Sequence, residues 1–376
     1  MLGLSIAFKI LDAVQTPPVF VEDRLCSRNR LRTSCCRLCI DTCPASAIRI
    51  GTGVTIDEAR CTGCGACIAA CPNGAFWSER KGDEQLAKEM TRLLSGGPSI
   101  MRIRCQKCAA SAEPEMVLPC LGRLTESLLL TPFALGIGEV HLLRPDCLGC
   151  TNETAVGNLD RTISLASELA RLVGLRGEAI QQIRAQRRDS TGQPFSKPTV
   201  TSRRGLFGLA RTEAAALGAT LLPPERGEQA DQRLSRPASR KRAFLLKLLR
   251  TFNDYVAADI DPKGLGLGAI EIGGECIGCN VCEKLCPASA LSRVEQGDHM
   301  SIFFKAHLCT GCGVCLECCL FDAIKFRDRF PLEALVVQTQ SLLVSLNKTG
   351  CASCGQPCWC TDAPLCPSCR LEAKRN

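Results

Sequence analysis

Cys61, Cys64, Cys67 and Cys71 stand in the spacing C-x2-C-x2-C-x3-C, with Pro72 next. Cys276, Cys279, Cys282 and Cys286 repeat that run ahead of Pro287. Cys309, Cys312, Cys315 and Cys319 repeat it again, with Leu320 in place of the proline. Cys36, Cys39 and Cys43, before Pro44, give its last three quarters, and Thr33 holds the place of the missing first cysteine. Three cysteines at two-residue gaps let one tight loop present sulfurs to three corners of an iron–sulfide cube. Gly63, Gly65, Gly278, Gly311 and Gly313 allow the backbone to come close and aim its amides at the sulfides. Zinc is the competing occupant, but it usually takes two separate C-x2-C pairs and does not require the x2-x2-x3-Pro pattern.

These runs resemble bacterial-type ferredoxins with two [4Fe–4S] clusters, over residues 20–80 and again over 265–330. AIRIGTGVTID and ALSRVEQGDHMSIFF lie between the half-motifs. Each is an apolar segment, a turn and a second apolar segment, which suits the small hairpins of that family. The resemblance implies crossed ligation, in which the fourth cysteine of each run serves the other cluster of its pair. It implies Cys43, Cys61, Cys64 and Cys67 on one cluster, Cys276, Cys279, Cys282 and Cys319 on a second, and Cys286, Cys309, Cys312 and Cys315 on a third. The remaining cluster has Cys36, Cys39 and Cys71 and needs a fourth ligand. Cys26 can reach it through an enlarged loop whose closure costs little extra entropy. Cys35 is nearer, but vicinal side chains point apart on an extended backbone. Cys26 is preferred, Cys35 is the alternative, and a three-iron cluster is a third arrangement.

Between these regions, MRIRC, MVLPC and EVHLLRP are strand-like, TESLLLTPFALG is helical, and cysteines end each predicted strand. Ligands gather at the carboxyl ends of strands in open α/β sheets. The segment is similar to the delta subunit of the methyl-viologen-reducing hydrogenase, an electron-transfer module that feeds heterodisulfide reductase. That resemblance implies a [2Fe–2S] cluster on four of Cys105, Cys108, Cys120, Cys147 and Cys150, with a structural zinc as the alternative. Near the C-terminus, Cys351, Cys354, Cys366 and Cys369 form two C-x2-C pairs that resemble a zinc ribbon, and a rubredoxin-like iron is the second option. So short a segment buries little core without a metal. Cys35, Cys318, Cys358 and Cys360 remain as thiols.

The elements that must position these groups suggest an α+β chain. Two ferredoxin-like modules are expected at 17–80 and 265–330, a small α/β unit at 98–175, a basic linker with short helices at 176–260, and a zinc ribbon at 345–376. LDRTISLASELARLVGL and AFLLKLLRTF read as helices. TSRRGLFGLARTEAAALGA looks like a twin-arginine signal but lies far from the N-terminus, so it reads as linker and helix. The first residues are a poor signal peptide and no apolar stretch is long enough to span a membrane, so a reducing cytoplasm is expected.

The formal charge is +8. Four oxidised cubanes with their thiolates would bring about −2 each and cancel it. Nucleic acid is therefore not an expected partner. With three histidines and one tyrosine, the chain has no evident nucleophile–base pair. The expected role is electron transfer as a subunit that joins protein redox partners to a catalytic oxidoreductase subunit, without catalysis of its own. A redox sensor contacting nucleic acid through the basic linker and ribbon is the competing class. Thiol reduction at the middle segment, with Cys120 as the residue to test, is a third.

Overall fold

The computed structural model describes residues 19–78, 82–175, 179–188, 239–252, 255–256, 258–263, 265–361 and 365–375. The opening residues and the twin-arginine-like segment lie outside them. So does most of the expected linker.

The first cysteine-rich unit is built on two antiparallel pairs. β1 (Phe20–Val21) pairs with β4 (Phe76–Trp77), and β2 (Ile48–Ile50) forms a hairpin with β3 (Val54–Ile56). Ile48 and Val54 turn inward while Arg49 and Thr55 face water, the two-residue alternation of a half-buried strand. Inside lie Val19, Leu25, Ile68 and Phe76, so the small core is made by what flanks the cysteines.

The middle unit is a four-stranded parallel sheet. Its strands are β5 (Ile100–Cys105), β6 (Met116–Leu118), β7 (Glu139–Arg144) and β8 (Ile180–Arg184), in the order β6-β5-β7-β8. Helices Asp83–Leu94, Glu126–Ala134, Val156–Leu172 and Arg240–Leu249 complete its core, which includes Ile103, Leu128, Leu129, Leu142, Leu169 and Leu245. Each such side chain contributes about 1.5–3 kcal/mol by burial. Thr125 starts the second of these helices by accepting a bond from the Leu128 N–H, and Ser239 starts the fourth by accepting one from Arg242 N–H.

Two pieces of the range expected as linker belong to this core. β8 comes from IQQIR, and the leucines of Arg240–Leu249 are buried in it. Two glutamines on an edge strand, both exposed, gave IQQIR the composition of a connector.

In the second cysteine-rich unit, β9 (Asp259–Ile260) pairs with β14 (Phe330–Pro331), and β10 (Ile270–Ile272) pairs with β13 (Ile324–Phe326). β11 (Leu291–Gln296) and β12 (His299–Phe304) form the hairpin. That hairpin is extended by β15 (Ser341–Gly350) and β16 (Pro357–Cys360) into one sheet, β11-β12-β15-β16. The C-terminal cysteines therefore continue the hairpin sheet of the second unit.

Candidate metal centres

One local structure occurs four times. After Cys43, Cys71, Cys286 and Cys319, the third residue on takes a left-handed conformation: Ser46 (φ 47°), Gly74 (φ 66°), Ser289 (φ 55°) and Asp322 (φ 53°). The fourth residue on is alanine each time, and its N–H donates to the cysteine sulfur: Ala47 at 3.3 Å, Ala75 at 3.4 Å, Ala290 at 3.3 Å and Ala323 at 3.4 Å. An amide aimed at a sulfur favours the thiolate, the form that binds metal. The recurring Cys-x3-Ala was the signal in the sequence for this turn. The same alanine carbonyls accept from the next strand in each unit, at Asp57, Glu22, Lys305 and Gly273.

The thiols meet in sets. Burial first, and then the neighbouring thiols of Cys71, Cys36 and Cys26, push the Cys39 thiol up to about 12. Burial raises Cys71 to about 11, with Cys26 also acting to raise it. Cys26 thus lies with Cys36, Cys39 and Cys71. Cys35 is exposed and its Sγ sits 3.9 Å from the Thr33 carbonyl oxygen. Cys67 is pushed well above the thiol range by burial and by Cys64, Cys61, Cys43 and Cys39.

In the second unit, Cys315 is raised by burial and by Cys309, Cys312, Cys286 and Cys282. Burial, with Cys312 and Cys286 beside it, raises Cys309 to about 12. Cys276 is raised by burial, Cys279 and Cys319. Cys318 also lies here: it stands among the groups that raise Cys282 to about 12. Its Sγ, however, is 3.5 Å from the Cys315 carbonyl oxygen, whereas Cys319 holds the amide-to-sulfur turn.

Metal chemistry fits these pockets. Thiols packed together out of water resist ionising, and a bound cation is what reverses that balance. The backbone also leaves room only for glycine at one approach. A Cβ on Gly311 (φ +62°) would lie 2.2 Å from the Leu267 carbonyl oxygen. One on Gly268 would lie 3.0 Å from the Cys309 Sγ.

At the carboxyl ends of the middle sheet, Cys105, Cys120, Cys147 and Cys150 line one small cavity. Cys108 does not line that cavity; it is fully buried, its Sγ is 3.4 Å from the Leu143 carbonyl oxygen, and burial, with Cys105 and Cys147 near it, pushes its thiol up to about 11. Burial pushes Cys120 up to about 12, with Cys105, Cys64 and Cys147 contributing. Cys150 is held below the ordinary thiol range despite burial, because Asn152 N–H and the Lys107 ammonium, 3.3 Å away, bond to it. Arg144 reaches the Cys147 Sγ at 3.8 Å.

The sulfurs of Cys351, Cys354, Cys366 and Cys369 all lie within 4.8 Å of one another, the one group of ligand atoms that compact among the described residues. Bonds from Cys366 and Cys354 N–H pull Cys351 down to about 6. Cys358 and Cys360 lie on β16, and the Cys360 Sγ meets the Thr349 hydroxyl at 3.2 Å.

Buried contacts join neighbouring sets. Cys64 and Cys120 share one buried cluster with Ala66 and Ala155. Within the first cysteine-rich unit Asn73 Nδ2 donates to Ser27 Oγ at 2.9 Å, and from the second unit Thr310 Oγ1 donates to Asn73 Oδ1 at 2.5 Å. Ser27 is also hydrogen-bonded to the Cys312 thiol. Arg30 donates to the Leu285 carbonyl at 3.2 Å and to the Lys284 carbonyl.

Known proteins share part of this arrangement. Residues 54–77 match the 4Fe-4S binding domain. One subunit of the ion-translocating oxidoreductase complex of Methanosarcina acetivorans is 49% identical over 42 residues, 11% of this chain and 16% of that protein. The NADH-quinone oxidoreductase subunit I 2 of Geobacter metallireducens is 33% identical over 81 residues, 19% of this chain and 61% of that protein. The chain thus spans less than two thirds of the length of either relative. A 4Fe-4S binding domain within an α+β chain, with oxidoreductase subunits among its relatives, supports iron–sulfur electron transfer.

Proposed function

We propose that this protein is an electron-transfer subunit of an oxidoreductase complex, relaying single electrons between a redox partner and a catalytic subunit. Four [4Fe–4S] clusters supply the redox change, and the chain holds, spaces and tunes them. Cys26, Cys36, Cys39 and Cys71 hold one; Cys43, Cys61, Cys64 and Cys67 the next; Cys286, Cys309, Cys312 and Cys315 a third; Cys276, Cys279, Cys282 and Cys319 the fourth. The segments 17–80 and 265–330 act as the two cluster-binding modules, and a reducing compartment is part of this reading.

The observation that carries this reading is the continuity of the thiol sets. Cys120 adjoins Cys64. Cys39 adjoins Cys67. Ser27 and Thr310 join the Cys26 set to Cys312, and Cys282 adjoins Cys315. A row of this kind suits conduction, and acid–base chemistry is not needed along it.

Cys105, Cys120, Cys147 and Cys150 hold a [2Fe–2S] cluster in this proposal. Four thiolates on one zinc at Zn–S of about 2.3 Å would stand about 3.8 Å apart. The sulfurs of the C-terminal set lie within 4.8 Å of one another, close to that spacing, which supports zinc there.

Anaerobic iron, sulfide and zinc analysis with EPR of the reduced protein tests all of this. About eighteen irons and one zinc per chain are expected. Iron-free, colourless protein prepared without oxygen overturns it.

A further inference from the structure

A cavity of about 280 Å³ lies beside both cysteine-rich units. Pro72, next to Cys71, and Gly311, between Cys309 and Cys312, form part of its wall. Its charged lining is one-sided. Arg161, Lys241, Arg242, Lys263 and Arg327 face a single carboxylate, Glu126.

Two of these charges are already engaged. Lys241 bonds to the Ala69 carbonyl at 2.6 Å and stands 3.6 Å from Glu126, and Lys263 pairs with Asp328 at 3.5 Å. Arg242 is the informative one. It is only 7% exposed, and its Nη2 donates to the Gly266 and Cys309 carbonyls at 2.6 and 3.3 Å. Its Nη1 is buried and has no hydrogen-bond partner among the described residues. A buried guanidinium nitrogen without an acceptor costs free energy, and native structures normally satisfy such groups. Among the described residues that line the cavity, Glu126 is the one anion facing these cations. The two N–H donors of that Nη1 match an oxygen of a carboxylate or a phosphoryl group.

We propose that this cavity is a binding site for a small oxyanion-bearing molecule, carboxylate or phosphate, with Arg242 as its buried anchor and Arg161 and Arg327 at its rim. The site stands on the cavity alone, independently of the electron-transfer reading.

Calorimetric titration of the anaerobic holoprotein with inorganic phosphate and with citrate, at fixed ionic strength in chloride, tests it. Saturable binding of at least one is expected. Saturation by phosphate alone assigns the phosphoryl class, and saturation by citrate alone the carboxylate class. Arg242→Gln should weaken binding about tenfold or more, the loss of a charge-assisted hydrogen bond. Arg161→Gln, at an exposed position, should weaken it about threefold while leaving the fold and visible absorbance unchanged. Lys348→Gln, on exposed β15 outside the cavity, should leave it unchanged. If Arg242→Gln does not fold, the Arg161→Gln comparison decides. Failure of both anions to bind, or binding unchanged in the folded variants, overturns the proposal.

Discussion

Cys64, in the first cluster-binding loop, and Cys120, at the end of a strand of the parallel sheet, lie in one buried cluster with Ala66 and Ala155. Gly122 presses equally close, since a Cβ on it would stand 2.6 Å from the Ala155 carbonyl oxygen. Arg123 fastens the same junction. Its Nη2 pairs with Asp83 at 2.7 Å, and its aliphatic stem fills the space a Cβ on Gly65 would take. The middle site is therefore packed directly against the first cysteine-rich unit. Cys120→Ala should remove about two irons per chain and leave about sixteen, read by iron analysis with EPR. Loss of no iron would exclude Cys120 as a ligand.

Cys26 and Cys35 give opposite expectations. Cys26 is half-buried among Cys36, Cys39 and Cys71, while Cys35 is exposed and turned away. Cys26→Ser should cost one to four irons and produce a three-iron EPR signal or lose one cubane signal. Cys35→Ser should keep full iron content and all signals. The reverse pattern would reassign the fourth ligand.

Much of this architecture was legible because the cysteine runs dictate it. A loop that offers three sulfurs to one cube has few backbone solutions, so the spacing fixes the turns, and the apolar alternation of AIRIGTGVTID fixes the hairpin beside them. Strand β8 was not legible, because IQQIR sits at a sheet edge where both glutamines face water. Its ladder to β7 is a long-range pairing that local composition does not encode. The extension of the β11–β12 hairpin by β15 was hidden for the same reason. The meeting of Cys26 with Cys71 across forty-four intervening residues was legible only through the crossed ligation that the ferredoxin resemblance implies, since no local pattern near Cys26 encodes it.

Gly311 and Gly313 share positive φ angles, +62° and +80°, but differ in surroundings. A Cβ at Gly313 meets open space, so Gly313→Ala should cost only the left-handed penalty, about 1–2 kcal/mol. At Gly311 the Cβ would collide with the Leu267 carbonyl, a backbone atom that cannot step aside cheaply. Gly311→Ala should therefore cost about 3 kcal/mol or more and release the iron proposed for Cys309, Cys312 and Cys315. Anaerobic melting of the two variants side by side checks the difference; equal losses would show that conformation alone decides.

The zinc proposed for the C-terminal set should be separable from iron. A zinc chelator at neutral pH is expected to remove one metal ion per chain and leave cluster absorbance intact. Cys351 follows β15 directly, and Trp359 lies on β16, half-buried against the second unit. Losing the metal should loosen that edge and shift Trp359 emission, while Trp77, stacked on Phe20 at 4.8 Å, reports no change. A Trp77→Phe variant isolates the signal. Loss of iron together with zinc would contradict separate sites.

The junction between the two cysteine-rich units makes a prediction about potential. Asn73 donates its amide hydrogen to Ser27 Oγ, which leaves the serine hydrogen free to point at the Cys312 sulfur. Thr310 donates to the Asn73 oxygen and so fixes the amide in that orientation. All three side chains are buried, at 2%, 3% and 2% exposure for Ser27, Asn73 and Thr310, so water does not replace a lost bond. A hydrogen bond to a ligating sulfur stabilises the more negative, reduced cluster. Ser27→Ala should therefore lower the midpoint of the cluster proposed for Cys286, Cys309, Cys312 and Cys315. One net hydrogen bond of about 1 kcal/mol corresponds to about 40 mV for a single electron. Thr310→Val should lower it too, since Thr310 is itself hydrogen-bonded to the Cys312 thiol and also orients the serine through Asn73. Redox titration followed by EPR at fixed iron content measures both shifts. An unchanged or raised midpoint in Ser27→Ala would show that the hydroxyl does not bond to the ligating sulfur.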